Sequence, residues 1–327
     1  MDFRTQVDAK TNFSIGYSDK ILMMGSCFAE SMGQKMKQAK LNVVVNPFGI
    51  LFNPESIAIA IEQALAGAPV TDTDVFQHNG LWSGFGFHGS FSSADKAEAL
   101  RKMNSGVNDA HNQTKGLTRL ILTFGTAYIY RNVADGCVVA NCHKLPVANF
   151  VREMLTVEQI VSRYSALIDR LRGLNPGLQI VFTVSPVRHL RDGAHQNQIS
   201  KATLLLAVDQ LVEEFDNVHY FPSYELLLDD LRDYRFYDTD MCHPSAMAVD
   251  YIWQAMRDNC ISQGDNALID SVMKIVTAVN HRPLNPDTDE YRQFATNQLN
   301  AVMLFAAQNP HVDLSEEIEH WKAAVIS

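Results

Sequence analysis

Short apolar runs, Lys20–Met24, Leu41–Val45, Leu117–Phe124, Leu178–Val184 and Val218–Phe221, recur through the first 260 residues, each followed by a turn and then a helical pattern. Strands that alternate with helices pair in parallel, because each crossover returns the chain to the same end of the sheet. Several runs are rich in Val, Ile or Leu without polar alternation, as strands covered on both faces require. The expected class is therefore α/β with a mostly parallel sheet. Helix signals fill the gaps. One helix is expected from Ser26 to about Ala39, and Asn53-Pro54-Glu55 supplies a cap, an N1 proline and an early acid for a helix to about Leu65. Thr156-Val157-Glu158-Gln159 is a capping box whose helix should end near Gly173. Pro244 is expected at N1 of a helix reaching about Met256.

Two segments break the alternation. From about Thr71 to Gly116 a hairpin signal around Asn79-Gly80 precedes a polar helical stretch, which reads as an insertion over one edge of the sheet. Beyond about Ser262 the pattern is wholly helical, with apolar stripes through Phe294, Leu299, Val302, Met303 and Phe305. The expected organisation is a catalytic domain over 1–262, with the insertion at about 71–116, and a helical extension over 263–327. The extension's stripes suit either packing on the core or a homodimer contact.

Charge removes several partners. The formal net charge of −10, with Lys and Arg scattered, gives no footprint for nucleic acid or an anionic membrane. The start lacks the apolar core of a secretory leader, and no stretch reaches the roughly 18 apolar residues needed to span a bilayer. A cytoplasmic protein is expected. The cysteines, Cys27, Cys137, Cys142, Cys242 and Cys260, lack disulfide-scaffold spacing, so reduced thiols are expected. Cys142-His143 and Cys242-His243 place good zinc ligands side by side. Adjacent residues rarely both reach one tetrahedral ion, however, and no CxxC pair exists, so neither metal nor other cofactor is expected.

Chemistry concentrates at two places. A buried strand runs into Gly25-Ser26 and a helix starts at once, which puts the Ser26 hydroxyl at a strand's carboxyl end and a helix's positive terminus. A nucleophile there has free N–H groups for its oxyanion, though serine is equally a favoured N-cap. In Asp240-Met241-Cys242-His243, an acid three residues before a histidine can bond one ring nitrogen and leave the other to take a proton. Both motifs follow strands, so both belong on the sheet's carboxyl rim. Cys27 is a rival nucleophile, since a thiol at a helix start is acidified. It should point toward the sheet if Ser26 points out, which favours the serine.

Gly25-Ser26-Cys27-Phe28-Ala29 resembles the signature of the GSCFA-domain family, similar to a branch of the SGNH, or GDSL-like, hydrolase superfamily. The resemblance continues through Asn46-Pro47-Phe48-Gly49, Phe124-Gly125-Thr126-Ala127, Asn141-Cys142-His143-Lys144, Thr183-Val184-Ser185-Pro186-Val187 and the Asp240-x-x-His243 block, over roughly residues 15 to 260. It implies a three-layer flavodoxin-like sandwich and an esterase, lipase or carbohydrate O-acyl hydrolase. It further implies Ser26 as nucleophile, His243 as base, Asp240 as its orienter and Gly49 as an oxyanion glycine. Where the third block normally reads Gly-x-Asn-Asp, this chain has Gly125-Thr126-Ala127-Tyr128, so one oxyanion donor is missing. Such a loss typically costs about a hundred- to a thousand-fold in turnover, which calls for a replacement. Asn141, the Thr126 hydroxyl and Asn46 are the candidates. His143, Ser185 and His189 fall near strand ends and could contact substrate, although each residue type is as readily a turn or packed residue there. His88 sits in the insertion among aromatic neighbours.

The expected activity is hydrolysis of a small-molecule acyl ester or an O-acylated carbohydrate through a Ser-His-Asp triad. An acyltransferase acting on a sugar hydroxyl would use the same residues with a different acceptor. A module that binds a glycan or acyl ligand without turnover is the reading that Ala127 keeps open.

Overall fold

Side chains along each buried strand divide between two apolar layers, and that division organises the molecule. The computed structural model describes residues 4–281 and 284–326. In chain order the elements are β1 (Ile21–Gly25), α1 (Cys27–Gln38), β2 (Val43–Val45), α2 (Pro54–Ala66), β3 (Phe76–His78), β4 (Leu81–Ser83), α3 (Lys96–Thr114) and β5 (Arg119–Phe124). There follow β6 (Tyr128–Asn132), β7 (Val138–Val139), β8 (Phe150–Met154), α4 (Val157–Leu174), β9 (Gln179–Val184), α5 (Gly193–Glu214) and β10 (Val218–Tyr220). A short turn, α6 (Ser223–Glu225), runs on into a π-turn at Leu226–Leu231, and α7 (Ala246–Cys260), α8 (Gln263–Asn280), α9 (Asp289–Gln308) and α10 (Ser315–Ile326) complete the chain.

The predicted strands assemble as a five-stranded parallel sheet in the order β10-β9-β5-β1-β2. Counted among themselves the strands run 2-1-3-4-5, the flavodoxin-like order, with helices on both faces. The two faces follow the strand period of two. Leu22, Met24, Leu120, Leu122, Ile180 and Phe182 join α2, α3, α4 and α5 in one apolar layer. Ile21, Met23, Ile121 and Val181 join α1 and α7 in the other. Ile269 and Val272 of α8, Ala295 and Val302 of α9 and Trp321 of α10 bury in that same layer, and Lys40 pairs with Glu316 and Glu317. Phe294, Met303 and Leu304 of α9 remain exposed.

Two local outcomes differ from expectation, and the hairpin agrees with it. Pro244 is not N1 of α7, because Ser245 takes the cap by accepting from Ala248 N, while Pro244 bridges to Tyr237. The antiparallel sheet β7-β6-β8 carries no run in the list of expected strands. Its strands are short and only partly buried, with Ile129 inward between Tyr128 and Tyr130, so they lack a continuous apolar run. The hairpin β3–β4 forms around Asn79 and Gly80, both at positive φ as a tight turn requires.

The strand order reverses between β1 and β5, and an open α/β sheet has its crevice at such a point. Gly25 ends β1 there, opposite Thr123, with φ +152. A β-carbon on Gly25 would fall 2.4 Å from the Thr123 carbonyl oxygen. Gly25→Ala should therefore cost at least about 2 kcal/mol, as strain and overpacking add. Urea denaturation followed by circular dichroism measures it, and an unshifted midpoint would mean the junction is not tight.

Candidate active site

The carboxyl ends of β1, β5 and β9 supply the floor of the site. Gly25 N donates to Asn46 Oδ1 at 2.9 Å and Leu51 N donates to the Gly25 carbonyl at 3.0 Å, so both backbone groups of Gly25 are held. Ser26 follows as the N-cap of α1 with an extended backbone, 1% exposed, and its Oγ accepts from Phe28 N at 3.3 Å. That is the capping role, and it turns Ser26 into its own helix. Cys27, the first helical residue, faces the crevice instead.

His243 lies across from it on the loop before α7. Its Nδ1 is 2.5 Å from Asp240 Oδ2, and Asp240 Oδ1 accepts from Cys242 N and His243 N at 2.8 and 2.9 Å. These bonds, led by the His243 N–H, hold the Asp240 carboxyl down at about 2, so it is a carboxylate at any ordinary pH. A carboxylate only accepts, which makes Nδ1 the donor and leaves Nε2 to accept. Nε2 is 3.2 Å from Cys27 Sγ. The sequence assigned that ring nitrogen to Ser26 Oγ. The chain brings Asp240 and His243 together as expected and presents Cys27, not Ser26, to the imidazole. The cause is the helix cap, since a serine spent on the Phe28 N–H leaves the next side chain to face the crevice.

Burial pushes the Cys27 thiol up from its ordinary value, against the N–H groups of Cys27 and Phe28 and the charge of Lys201, which pull it down. The thiol form therefore dominates near neutrality, and a base in contact is what can activate it.

Beneath the site, α5 presents Asn197, Ser200 and Lys201, all buried. Lys201 is 1% exposed, and Nζ donates to the carbonyls of Gly125 and Ser185 at 2.6 Å each. Burial pulls its ammonium down to about 7, with Arg188 acting the same way and Cys27 opposing. Ser200 Oγ accepts from Ala127 N at 2.8 Å and pairs with Thr126 Oγ1 at 3.0 Å. Asn197 Oδ1 accepts from His189 N at 2.8 Å.

The remaining sequence candidates fare differently. Gly49 has φ +79 and its N–H donates to Asn46 O at 2.7 Å, so it is committed to a turn. Thr126 is tied to Ser200, and Asn46 bridges Gly25 N to Glu30. Asn141 accepts from His143 N, and the His143 ring meets the Gly84 carbonyl at 2.9 Å beside Phe76 and Phe85, so this pair belongs to the insertion. Ser185 is fully buried, with its Oγ accepting from Val187 N and its carbonyl on Lys201. His189 packs on Phe52, and its Nε2 is buried without a hydrogen-bond partner, 3.0 Å from where a Gly125 β-carbon would stand. Burial, then the charges of Lys201, His243 and Arg152, lower His189 to about 4, so its imidazole is neutral at neutral pH. Among the described residues no group of three or more His, Cys, Asp or Glu is placed to hold a metal ion, and no helix is long and apolar enough to cross a membrane.

The fold and rim define a class: a flavodoxin-like α/β chain with a thiol, an imidazole and a carboxylate in line at its switch point. The chain belongs to the GSCFA family, whose description matches residues 20–256, and residues 272–326 match the GSCFA domain protein, C-terminal domain. No curated protein matches it in sequence. Among solved structures, an acetyl xylan esterase (Est2A) from the rumen bacterium Butyrivibrio proteoclasticus is similar at 14% identity and a TM-score of 0.27. That likeness covers 47% of this chain and 43% of the esterase chain, less than half of either.

The buried lysine was missed in the sequence, yet a signal existed. Lys201 sits at helical spacing among Asn197, Leu204, Val208 and Leu211, on a stripe whose other members are buried. A cation on a buried stripe is rare enough to mark a site.

Because the thiol is raised, iodoacetamide should label Cys27 slowly at neutral pH and faster as the pH climbs through the thiol range. His243→Ala should slow the neutral reaction further. Peptide mass spectrometry resolves Cys27 from the exposed Cys137. Rapid labelling that is flat with pH around neutrality would reveal a preformed thiolate instead.

Proposed function

We propose that this chain is an acyl-ester hydrolase that works through a Cys27-His243-Asp240 triad on a small or O-acylated carbohydrate ester. The observation that carries this reading is the 3.2 Å contact between Cys27 Sγ and His243 Nε2, on a ring whose other nitrogen is bound to Asp240. Residues 216 positions apart converge there, and a helix cap gives no reason for such convergence.

In this reading His243 Nε2 takes the thiol proton as Sγ attacks the acyl carbonyl carbon. The resulting oxyanion faces the amino terminus of α1, whose first N–H groups and positive dipole end favour negative charge. Collapse breaks the ester C–O bond, and the leaving alkoxide receives the proton from His243. Water, deprotonated by the same imidazole, then attacks the thioester carbonyl, which releases the carboxylic acid and restores the thiol. A sugar hydroxyl in place of that water gives acyl transfer.

Hydrolysis of a small activated ester tests the assignment. Cys27→Ala and His243→Ala should each lose all but about a thousandth of turnover, and the double variant should be scarcely worse, because the two act as one unit. Ser26→Ala should lose about 1 kcal/mol of stability with its cap and keep the larger part of turnover. The reverse pattern, with turnover lost in Ser26→Ala and kept in Cys27→Ala, would return the nucleophile to the serine.

A further inference from the structure

A cavity of about 440 Å³ opens beside the triad and is not explained by it. Its walls include Arg188, Leu190, Arg232, Tyr234, Tyr237 and Met241. Tyr237 and Met241 belong to the loop that carries Asp240 and His243, and Arg188 directly precedes His189. Arg188 N donates to Cys242 O at 3.0 Å, so the cavity wall and the catalytic loop are joined through the backbone.

Charge identifies what the cavity suits. Among the described residues, neither Arg188 nor Arg232 forms an ion pair. Asp233, the one acid on the wall, is spent on Arg235, whose N–H it accepts at 3.0 Å and whose guanidinium it meets at 3.7 Å. Arg188 lies over the Tyr237 ring, 6.0 Å from its centroid, a partner that leaves its charge uncancelled. Two uncancelled guanidinium groups in one concavity of a chain with net charge −10 form a local attractor for anions. Three apolar or aromatic members of the lining are exposed: Leu190 is 41%, Met241 50% and Tyr234 81% accessible. Large apolar groups left open around a concavity mark a binding surface.

We propose that this cavity binds the anionic group, a carboxylate or a phosphate, of the substrate, with the substrate's apolar body against Leu190, Tyr234 and Met241. This rests on the acyl-transfer reading of Cys27, and it makes the substrate an amphipathic anion rather than a neutral ester. Anchoring the charge at the arginines would set how far the acyl carbonyl reaches toward Sγ.

The test needs no turnover. Phenyl phosphate, phenylacetate and neutral phenylacetamide are compared as protectors of Cys27 in the full chain against iodoacetamide, with direct binding read by calorimetry. One or both anions should protect, and the one that does identifies phosphate or carboxylate as the preferred group. Phenylacetamide should not protect. Arg188→Met and Arg232→Met, each with native circular dichroism, should weaken anion binding by about tenfold or more, the loss of one charge-assisted contact. Equal protection by the amide, absence of anion binding, or unchanged affinity in both arginine variants would overturn the proposal. If anions bind at the arginines and no ester is cleaved, the acyl-transfer reading fails and the anion cavity stands. If esters are cleaved and anions do not bind, the cavity proposal fails alone.

Discussion

The backbone turn from Gly25 to Cys27 is the constraint on which the site depends. Gly25 packs against Thr123 with no room for a side chain, and its amide and carbonyl are fixed by Asn46 and Leu51. The strand is thereby pinned to both of its neighbours at the level where the helix must begin. A helix starting there exposes N–H groups that need acceptors. Ser26 answers that need with its own hydroxyl, and the geometry of a capped first turn decides which side chain reaches the crevice. The thiol's place at the rim thus follows from a local hydrogen bond rather than from any feature peculiar to cysteine.

Opposite that turn, α5 performs a similar service with a buried cation. Removing an ammonium from water costs several kcal/mol, and here the compensation is two strand-end carbonyls rather than a carboxylate. The arrangement ties β5 and β9 together at their carboxyl ends, where parallel strands have no further partners. Ser200, a neighbour on the same helix face, closes the Thr126–Ala127 segment in the same way. The Gly125–Tyr128 loop therefore draws its order from α5.

Much of the fold was legible because it rests on periodicity. The five parallel strands, the caps at Asn53 and Thr156 and the hairpin at Asn79-Gly80 are local signals with local causes. The sheet β7-β6-β8 was not legible, since half-buried strands with tyrosines on the open side carry no clean pattern. At the site, the Asp240–His243 pairing could be read from a spacing of three. The choice between Ser26 and Cys27 could not, because it depends on which of two adjacent residues the helix consumes. The hydrogen-bond commitments of Gly49, Thr126 and Asn141 lay equally beyond a one-dimensional reading, as each is made with a segment distant in sequence or with the residue's own turn.

Asp240 and His243 stand about half exposed, on a loop whose ties to the body are few. A turn from Asp238 to Met241, with Met241 at positive φ, is held by Asp238 N to His243 O, Ser245 N to Phe236 O and Arg188 N to Cys242 O. Cys27 sits on a helix whose apolar face is fully buried. The two halves of one constellation thus belong to parts of the molecule with unequal resistance to opening. Local opening of that loop is expected to part the His243 imidazole from Cys27 before the sheet and its helices open. Amide exchange would record that opening as early loss of protection at residues 238–243 against a still-protected β1, with the Arg188 N to Cys242 O bond among the ties that set its free energy.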